Sequence, residues 1–301
     1  MKKIIFIFAG FLLLLNQMKS QTLPEQFNDL MSKNDTIAQL KFLEKWEQTD
    51  KNDPELYISY FNFYYNRSMK KIVRIEKTPR GKNSYPILDS LTKKPVGYMY
   101  NDIIINPEVI GKGLRYIDSG IEKFPSRLDM RFGKVYVFGE MKEYDNFTRE
   151  IISAIDYSRV INNSWLWKDN KPPDEPMNFM LSNIQSYQVQ LYNTGKDSLL
   201  WDMLLIAKEV LKYYPDNMES LSNLAIVYML QKEYENAIEI LLKAEKNAPN
   251  DYVIMSNLAQ AYKLKGDKKN SIKYYEQVTR FGDNIAKQYA RDQIKELEKN
   301  K

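Results

Sequence analysis

The sequence predicts an all-α protein in which helical hairpins stack side by side as a solenoid, with one small β insertion. Three observations lead to this fold class. Two segments near the C-terminus, 223–251 and 257–284, carry matching residues at the same offsets from their first residues, Asn223 and Asn257. Helical periodicity continues upstream of them. One further segment, 68–107, alternates apolar and polar residues as strands do.

Each C-terminal segment is predicted to form two helices joined by a polar turn. Apolar residues of one helix face recur at spacings of three and four residues, and Pro249 ends the first segment. The positions in the first copy, 218–251, are Leu221, Leu224, Ala225, Tyr228, Ala237, Leu241 and Ala244. The first helix of the second copy, 252–285, repeats them at Met255, Leu258, Ala259 and Tyr262. A single hairpin of this kind leaves an apolar face bare, so we expect the copies to stack.

The repeated helix-turn-helix pattern, with Leu-Ala, Tyr, Ala, a large apolar residue, Ala and Pro in that order and a period of about 34 residues, resembles the tetratricopeptide repeat. The resemblance is clear over 218–251 and 252–285. It implies a right-handed helical solenoid whose first helices line a concave groove. It also implies a scaffold that binds a protein or peptide partner in that groove and performs no chemistry of its own.

The resemblance weakens upstream. We expect divergent helical repeats over 21–167, followed over 168–301 by the tetratricopeptide repeats and a polar C-terminal capping helix. Farther upstream, KEYDNF at 142–147 matches KEYENA at 232–237 of the best repeat. In that upstream copy Arg131 and Lys134 replace two core leucines, so it departs from the pattern.

A β insertion is predicted within 68–107. We expect Ile72–Glu76 to pair with Gly97–Asp102 as a hairpin, with Arg80 and Lys82 at its tip. An insertion can change without disturbing the stack of helices, so this segment is an alternative surface for contact with a partner.

A second break in the helical pattern occurs at 162–176, where Pro172 and Pro173 exclude a helix. Trp165 and Trp167 stand just before these prolines. Two interpretations are open for the tryptophans: a plug buried beneath the loop, or an exposed contact.

The composition excludes several classes of chemistry. The chain has 301 residues with no Cys and no His, so no disulfide, thiolate metal site, Cys nucleophile or Ser-His-Asp triad can form. We expect no metal and no cofactor. Residues after 20 carry 41 basic and 39 acidic side chains, because three of the 44 basic residues precede that point. A charge near +2 gives no reason to expect a nucleic-acid partner.

Residues 1–20 have the layout of a secretory signal peptide, because two lysines precede the apolar run Ile4–Leu15. The alternative is a membrane anchor, but the run is shorter than the roughly 20 residues that a span needs. The sequence therefore predicts export to the periplasm or the exterior. The mature chain is expected to begin near Gln21 or Thr22 and to have no membrane span.

A carboxylate-dependent hydrolase on a helical frame is the alternative from another functional class. With 39 acidic residues some carboxylates will lie close together, but no motif selects a pair. No glycine-rich phosphate loop is present, and DKNDPE at 50–55 lacks the ligands of an EF-hand. An enzyme predicts acids that converge in a deep pocket, whereas a scaffold predicts an open groove.

The predicted groove residues stand beside the core stripe of each first helix, where the two copies differ most. They are Glu219, Ser222, Ile226, Met229, Val253, Ser256, Gln260 and Lys263. Family members that grip a carboxylate tail use Lys and Asn on this face. Ser222 and Ser256 stand at the place of that Lys, and Ile226 at the place of the Asn. We therefore expect a mixed apolar and polar ligand rather than a carboxylate tail.

Overall fold

The computed structural model describes residues 21–79 and 83–299, which form thirteen α-helices and one three-stranded sheet. The predicted signal peptide, 1–20, and the predicted tip residues Arg80 and Lys82 lie outside the described residues. None of the helices in the described part is long and apolar enough to cross a bilayer. A helical solenoid with a small β insertion is the observed architecture.

The elements follow one another as hairpins. The first half of the chain contains α1 (Leu23–Ser32), α2 (Thr36–Thr49), α3 (Pro54–Ser68), β1 (Met69–Glu76), β2 (Tyr85–Leu88), β3 (Pro95–Ile105), α4 (Pro107–Lys123), α5 (Leu128–Met141) and α6 (Tyr144–Val160). The second half contains α7 (Pro176–Asn193), α8 (Leu200–Tyr213), α9 (Met218–Leu230), α10 (Tyr234–Asn247), α11 (Tyr252–Lys265), α12 (Lys268–Phe281) and α13 (Asn284–Lys299). From α1–α2 to α11–α12 the helices pair consecutively, and we call the odd-numbered helix of each pair its first helix.

Equivalent N-caps begin the first helices of the two clear repeats. Asn217 Oδ1 accepts a hydrogen bond from the Ser220 amide at 2.9 Å, and Asp251 Oδ1 accepts one from the Val253 amide at 2.8 Å. Each cap satisfies an amide that would otherwise lack a helical partner. The two capping residues occupy equivalent positions of the two copies, so the first helices of both repeats begin at the same point of the repeat.

Tight turns inside the hairpins place one residue in the left-handed region. Gly266 does so between α11 and α12 with φ of 87°, which glycine adopts without steric conflict. Lys232, with φ of 64°, and Lys142, with φ of 61°, occupy the equivalent turns of α9–α10 and α5–α6. The backbone therefore repeats from hairpin to hairpin even where the residue type does not. The α3–α4 hairpin differs, because the sheet replaces its turn.

Small residues let the helices of the clear repeats approach closely. Ala225 on α9 and both Ala237 and Ala244 on α10 have no exposed surface. Leu241 is fully buried in the same cluster, which extends to α13. The predicted reason for the alanines, close crossing within a hairpin and between hairpins, agrees with this burial.

The sheet has three strands in the order β1-β3-β2, so the predicted two-stranded hairpin needs correction. The predicted pairing of β1 with β3 is confirmed, because Ile72 lies opposite Asp102 and Glu76 lies opposite Tyr98. The missed strand, β2, pairs with the other side of β3. Its Pro86 weakens the sequence signal for a strand, but an outer strand tolerates proline because one side needs no hydrogen bonds.

The tryptophans of the loop after α6 are packing residues. Trp165 is fully buried, and its indole Nε1 donates to Met180 Sδ at 3.2 Å. Trp167 is half-buried and meets the ring of Phe179 at 4.9 Å between centroids. The loop also joins the turn before α5, because the Leu166 carbonyl accepts from the Leu128 amide at 2.9 Å. The interpretation of the tryptophans as a plug is confirmed.

Buried cations occupy the core-facing positions of α5. Lys134 contacts the carboxylates of Asp118 on α4 and Glu150 on α6. The Arg131 guanidinium lies 4.6 Å from the ring centre of Tyr157, and burial lowers the pKa of Arg131. The two residues that replace core leucines therefore join α5 to its neighbours by charge rather than by apolar packing.

Arg127, at the start of α5, is fully buried and binds two carboxylates. Its Nη2 lies 2.7 Å from Glu55 Oε1 on α3 and 2.7 Å from Asp129 Oδ2. Its Nη1 donates to Asn170 Oδ1 at 3.0 Å. Burial acts to lower the pKa of Arg127, but the hydrogen bonds and charges of Asp129 and Glu55 outweigh it and raise the pKa. This network connects α3, α5 and the loop after α6.

Candidate functional site

The first helices of successive hairpins lie beside one another. The rings of Tyr65 on α3 and Tyr136 on α5 meet edge to face with their centroids 6.0 Å apart. Farther along, Asn223 Nδ2 on α9 donates to Gln185 Oε1 on α7 at 2.6 Å. These contacts join helices that are a whole hairpin apart in sequence. The outward faces of the first helices therefore form one extended surface, as stacked repeats require.

One stripe of each first helix points away from the core. Its members recur at spacings of seven and four residues, which return to the same side of an α-helix. We call nine residues the groove stripe: Asp129, Tyr136 and Glu140 on α5, Glu219, Ile226 and Leu230 on α9, and Val253, Gln260 and Leu264 on α11. All nine are exposed or half-buried. The most exposed apolar members are Tyr136 (53%), Leu230 (49%), Val253 (47%) and Leu264 (43%).

Four of the eight predicted groove residues belong to the groove stripe, and the other four flank it. Ser222 and Met229 are only 9% and 8% exposed. They lie about 40–60° around the helix from Ile226, which turns them toward the adjacent hairpin. Ser256 and Lys263 are half-buried at the equivalent positions of α11. The structure thus brings all eight to one side of α9 and α11 but leaves half of them at its edge.

Polar predicted residues on α11 already have partners within the chain. Lys263 Nζ donates to Gln293 Oε1 at 2.6 Å and lies 3.0 Å from Glu296 Oε1, both on α13. Gln260 Oε1 accepts a hydrogen bond from the Tyr275 hydroxyl at 3.1 Å. These bonds hold α11 against the helices after it. Lys263 and the Gln260 side-chain oxygen are therefore engaged within the chain, so apolar side chains are the main groups that this part of the stripe offers to a ligand.

Sequence reasoning missed Tyr136, Leu230 and Leu264. The signal for Tyr136 was present, because it holds the same place in the KEYDNF copy as Ile226 holds in the KEYENA copy. Burial raises the pKa of the neighbouring Tyr65, and its hydrogen bond with Tyr136 adds to the shift. The ring of Tyr136, which is 53% exposed, adds apolar surface to the groove.

Three acids, Glu143, Asp145 and Asp202, line an open cleft of about 390 Å³ at the start of α6. Asp145 is exposed, whereas Asp202 on α8 is half-buried and accepts a hydrogen bond from the Thr148 hydroxyl at 2.8 Å. Burial raises the pKa of Asp202, and the charge of Asp145 adds to that shift. The cleft differs from the deep pocket that the hydrolase alternative predicts, because one of its acids faces solvent.

Solved structures of tetratricopeptide-repeat proteins match this chain at low sequence identity and low TM-score. YrrB, whose structure is described as a tetratricopeptide-repeat protein with an unusual peptide-binding site, is 11% identical with a TM-score of 0.42, covering 83% of this chain and 97% of its own. The C-terminal part of a repeat-containing protein from Cytophaga hutchinsonii is 14% identical with a TM-score of 0.43, covering 92% and 96%. The corresponding domain of P58(IPK) is 12% identical with a TM-score of 0.34, covering 92% and 65%.

Comparison with curated proteins gives no significant match. Two sequence models of the tetratricopeptide repeat match the chain, over residues 220–251 and 253–281. These are the segments whose caps, turns and buried alanines recur from one copy to the next. The chain therefore carries two tetratricopeptide repeats, in residues 220–251 and 253–281.

Proposed function

We propose that this protein is an exported scaffold that binds a protein or peptide partner in its groove and carries out no catalysis. The observation that carries the proposal is the groove stripe. It presents large apolar side chains of α5, α9 and α11, although such side chains are normally buried. Exposed apolar patches with polar margins are typical of interaction sites. Tetratricopeptide-repeat proteins in general bind protein or peptide partners, which agrees with this use of the surface.

The chemistry of the groove stripe favours a mixed ligand. Apolar Leu230, Val253 and Leu264 alternate along it with polar Glu219 and Gln260. Apolar side chains of an extended segment or a helix would contact Leu230, Val253 and Leu264. Polar groups of that ligand would face Glu219 and Gln260. The groove lacks the lysines that a carboxylate tail would need, because serines occupy the key positions.

The groove is tested by changing Leu230, Val253 and Leu264 together to serine. The three side chains are exposed, so we expect the fold to persist. Partners captured by the mature wild-type protein from the exported fraction should bind the variant at least about tenfold more weakly, because apolar contacts at the centre of an interface dominate affinity. Affinity is measured with the captured partner after its purification, by calorimetry.

A matched control removes equally exposed apolar side chains from second helices. Val160 on α6, Trp201 on α8 and Phe281 on α12 are 68%, 62% and 48% exposed, and their joint change to serine should leave affinity within about twofold. An equal loss of affinity in both variants, or an unchanged affinity of the groove variant, would show that the partner binds another surface.

Export is the second part of the proposal and rests on the signal pattern of residues 1–20. We expect the natural protein to be recovered outside the cytoplasm with its N-terminus at Gln21 or Thr22. N-terminal sequencing of the protein from its native cells checks this. A chain that still begins at Met1 would contradict export by cleavage.

The insertion between α3 and α4 supports a second candidate, an assembly role in which the sheet contacts the partner. The observation that favours it is a sheet face whose large apolar side chains are exposed, including Val73, Ile75 and Tyr85. The main contacts of the sheet with the helices are with α3 and α5, so the stripe residues of α9 and α11 lie outside this second surface.

A further inference from the structure

The sheet of the insertion has two unlike faces. Residues that lie directly opposite each other in antiparallel strands point to the same face. On one face, Arg74 binds Asp102 and the Tyr100 hydroxyl donates to a Glu76 carboxylate oxygen. That face carries polar side chains that pair with one another, and Tyr100 on it is only 6% exposed, so it is the more covered of the two faces.

The other face is exposed and mainly apolar, with Lys71 and Asn101 as its polar members. Val73 and Ile75 of β1 share it with residues from both partner strands, as their register shows. Its large apolar members are Val73, Ile75, Tyr85, Met99 and Ile103, whose exposed fractions range from 40% to 66%. Antiparallel sheets normally pack such a face against a core. Here these side chains stay exposed, which marks the face as a surface for contact with another molecule.

The two outer edges of the sheet are protected unequally. The β2 edge is four residues long, contains Pro86, and has a register shift between Ile87 and Leu88. Proline, short length and irregularity are the devices that prevent strand addition. The β1 edge is eight residues long, has regular register and contains no proline. Alternate amide and carbonyl groups of β1 point away from β3, so this edge can accept another strand.

Charge distinguishes the insertion from the rest of the chain. Residues 69–105 contain eight basic and three acidic side chains. The remainder of residues 21–301 contains 33 basic and 36 acidic side chains. The basic residues of the insertion are Lys70, Lys71, Arg74, Lys77, Arg80, Lys82, Lys93 and Lys94. The insertion therefore has a net positive charge that the rest of the chain lacks, and a partner with acidic side chains is favoured at its surface.

We propose that the outer edge of β1 accepts an extended segment of a partner protein as a fourth strand, and that this segment has apolar side chains on one face and carboxylates on the other. The apolar side chains would continue the surface of Val73 and Ile75. The carboxylates would lie beside Lys70 on the polar face. This surface is separate from the groove stripe; the proposal rests on the second candidate function, contact through the sheet, and names the partner that the sheet would take.

A second copy of this chain fits the edge less well. Antiparallel pairing of β1 with itself over its full length places Lys71 opposite Arg74, and like charges in that position are destabilising. The two basic insertions would also face each other. An anionic membrane would satisfy the charge and the apolar face, but it offers no partners for the backbone groups of an open strand edge. A peptide meets all three requirements, because it supplies carboxylates for the basic side chains, apolar side chains for the exposed face and backbone groups for the strand edge.

The probe is a short synthetic peptide in which valine alternates with glutamate, and its control alternates valine with lysine. We expect the valine–glutamate peptide to bind the mature protein in fluorescence anisotropy and to protect the amides of β1 from hydrogen exchange. The double change Lys70→Glu with Lys71→Glu should weaken binding at least about tenfold. The matched change Lys93→Glu with Lys94→Glu, equal in charge but beside β2, should leave it within about threefold.

Several outcomes would overturn the proposal. One is the absence of binding up to about 1 mM peptide. Others are equal weakening by both charge variants, equal binding of the valine–lysine control, and protection confined to β2. Stronger binding to phosphatidylserine vesicles than to the peptide would indicate a membrane surface, and concentration-dependent dimerisation through β1 would indicate self-association. The groove variant should bind the peptide like the wild type, so the two proposals fail independently.

Discussion

Replacement of Trp165 by alanine is expected to lower the free energy of unfolding by about 3–5 kcal/mol. The indole is fully buried in the core cluster that α5 to α9 share. It lies between Tyr157 of α6 and Met180 of α7, with the Arg131 guanidinium 5.8 Å from its ring centre. Three elements would have to move to fill the space, so most of the cavity should remain.

Urea denaturation monitored by circular dichroism checks this, with the midpoint compared at constant slope. Trp201, which is 62% exposed on α8, provides the matched control, and its change to alanine should alter stability by less than about 0.5 kcal/mol. Equal effects of the two changes would show that the loop after α6 contributes little to the solenoid.

Replacement of Arg127 by methionine should destabilise the protein by a similar amount, about 3–5 kcal/mol. The change removes the positive charge between Glu55 and Asp129 and leaves two carboxylates, each less than one-sixth exposed, without it. Methionine keeps most of the volume, so the effect reports the charge rather than a cavity. The additional change of Glu55 and Asp129 to glutamine and asparagine should recover part of the loss.

Chemical denaturation of the single and triple variants measures the effect. The control is Lys265→Met, because Lys265 forms an exposed pair with Glu235 at 3.2 Å and should contribute less than about 1 kcal/mol. A loss at Arg127 no larger than at Lys265 would contradict the view that α3 and α5 are joined by buried charge.

The parts of the fold that follow from local spacing were predictable. Apolar periodicity located the hairpins of the clear repeats, and alternation located the register of Ile72 against Asp102. The β2 strand was missed because Pro86 removes the local signal, while the pairing that creates the strand comes from β3. The burial of Lys134 could not be predicted from its own helix for a related reason, because its partners Asp118 and Glu150 lie on other helices.

The outward face of α9 and α11 was predicted from the sequence, but the number of residues exposed on that face was not. Periodicity placed Ile226 and Gln260 on the outward face. It treated Ser222 and Met229 as equivalent to them, although the adjacent hairpin buries both. The part of a helix face that a neighbouring helix covers depends on the angle at which two hairpins cross. The sequence of a single helix does not determine that angle.

The sheet that replaces the α3–α4 turn also changes how this hairpin can fold. Other hairpins close over a few residues, whereas the whole segment 69–106 separates α3 from α4. Closing so long a loop adds about 2 kcal/mol of entropic cost relative to a tight turn. Pairing of Met69 with Ile105, beside the 2.8 Å bond from the Asn106 amide to the Ser68 carbonyl, brings the two helix ends together. Formation of the N-terminal hairpins is therefore tied to a long-range strand pairing, a slow class of folding event, while the C-terminal repeats can form from local contacts.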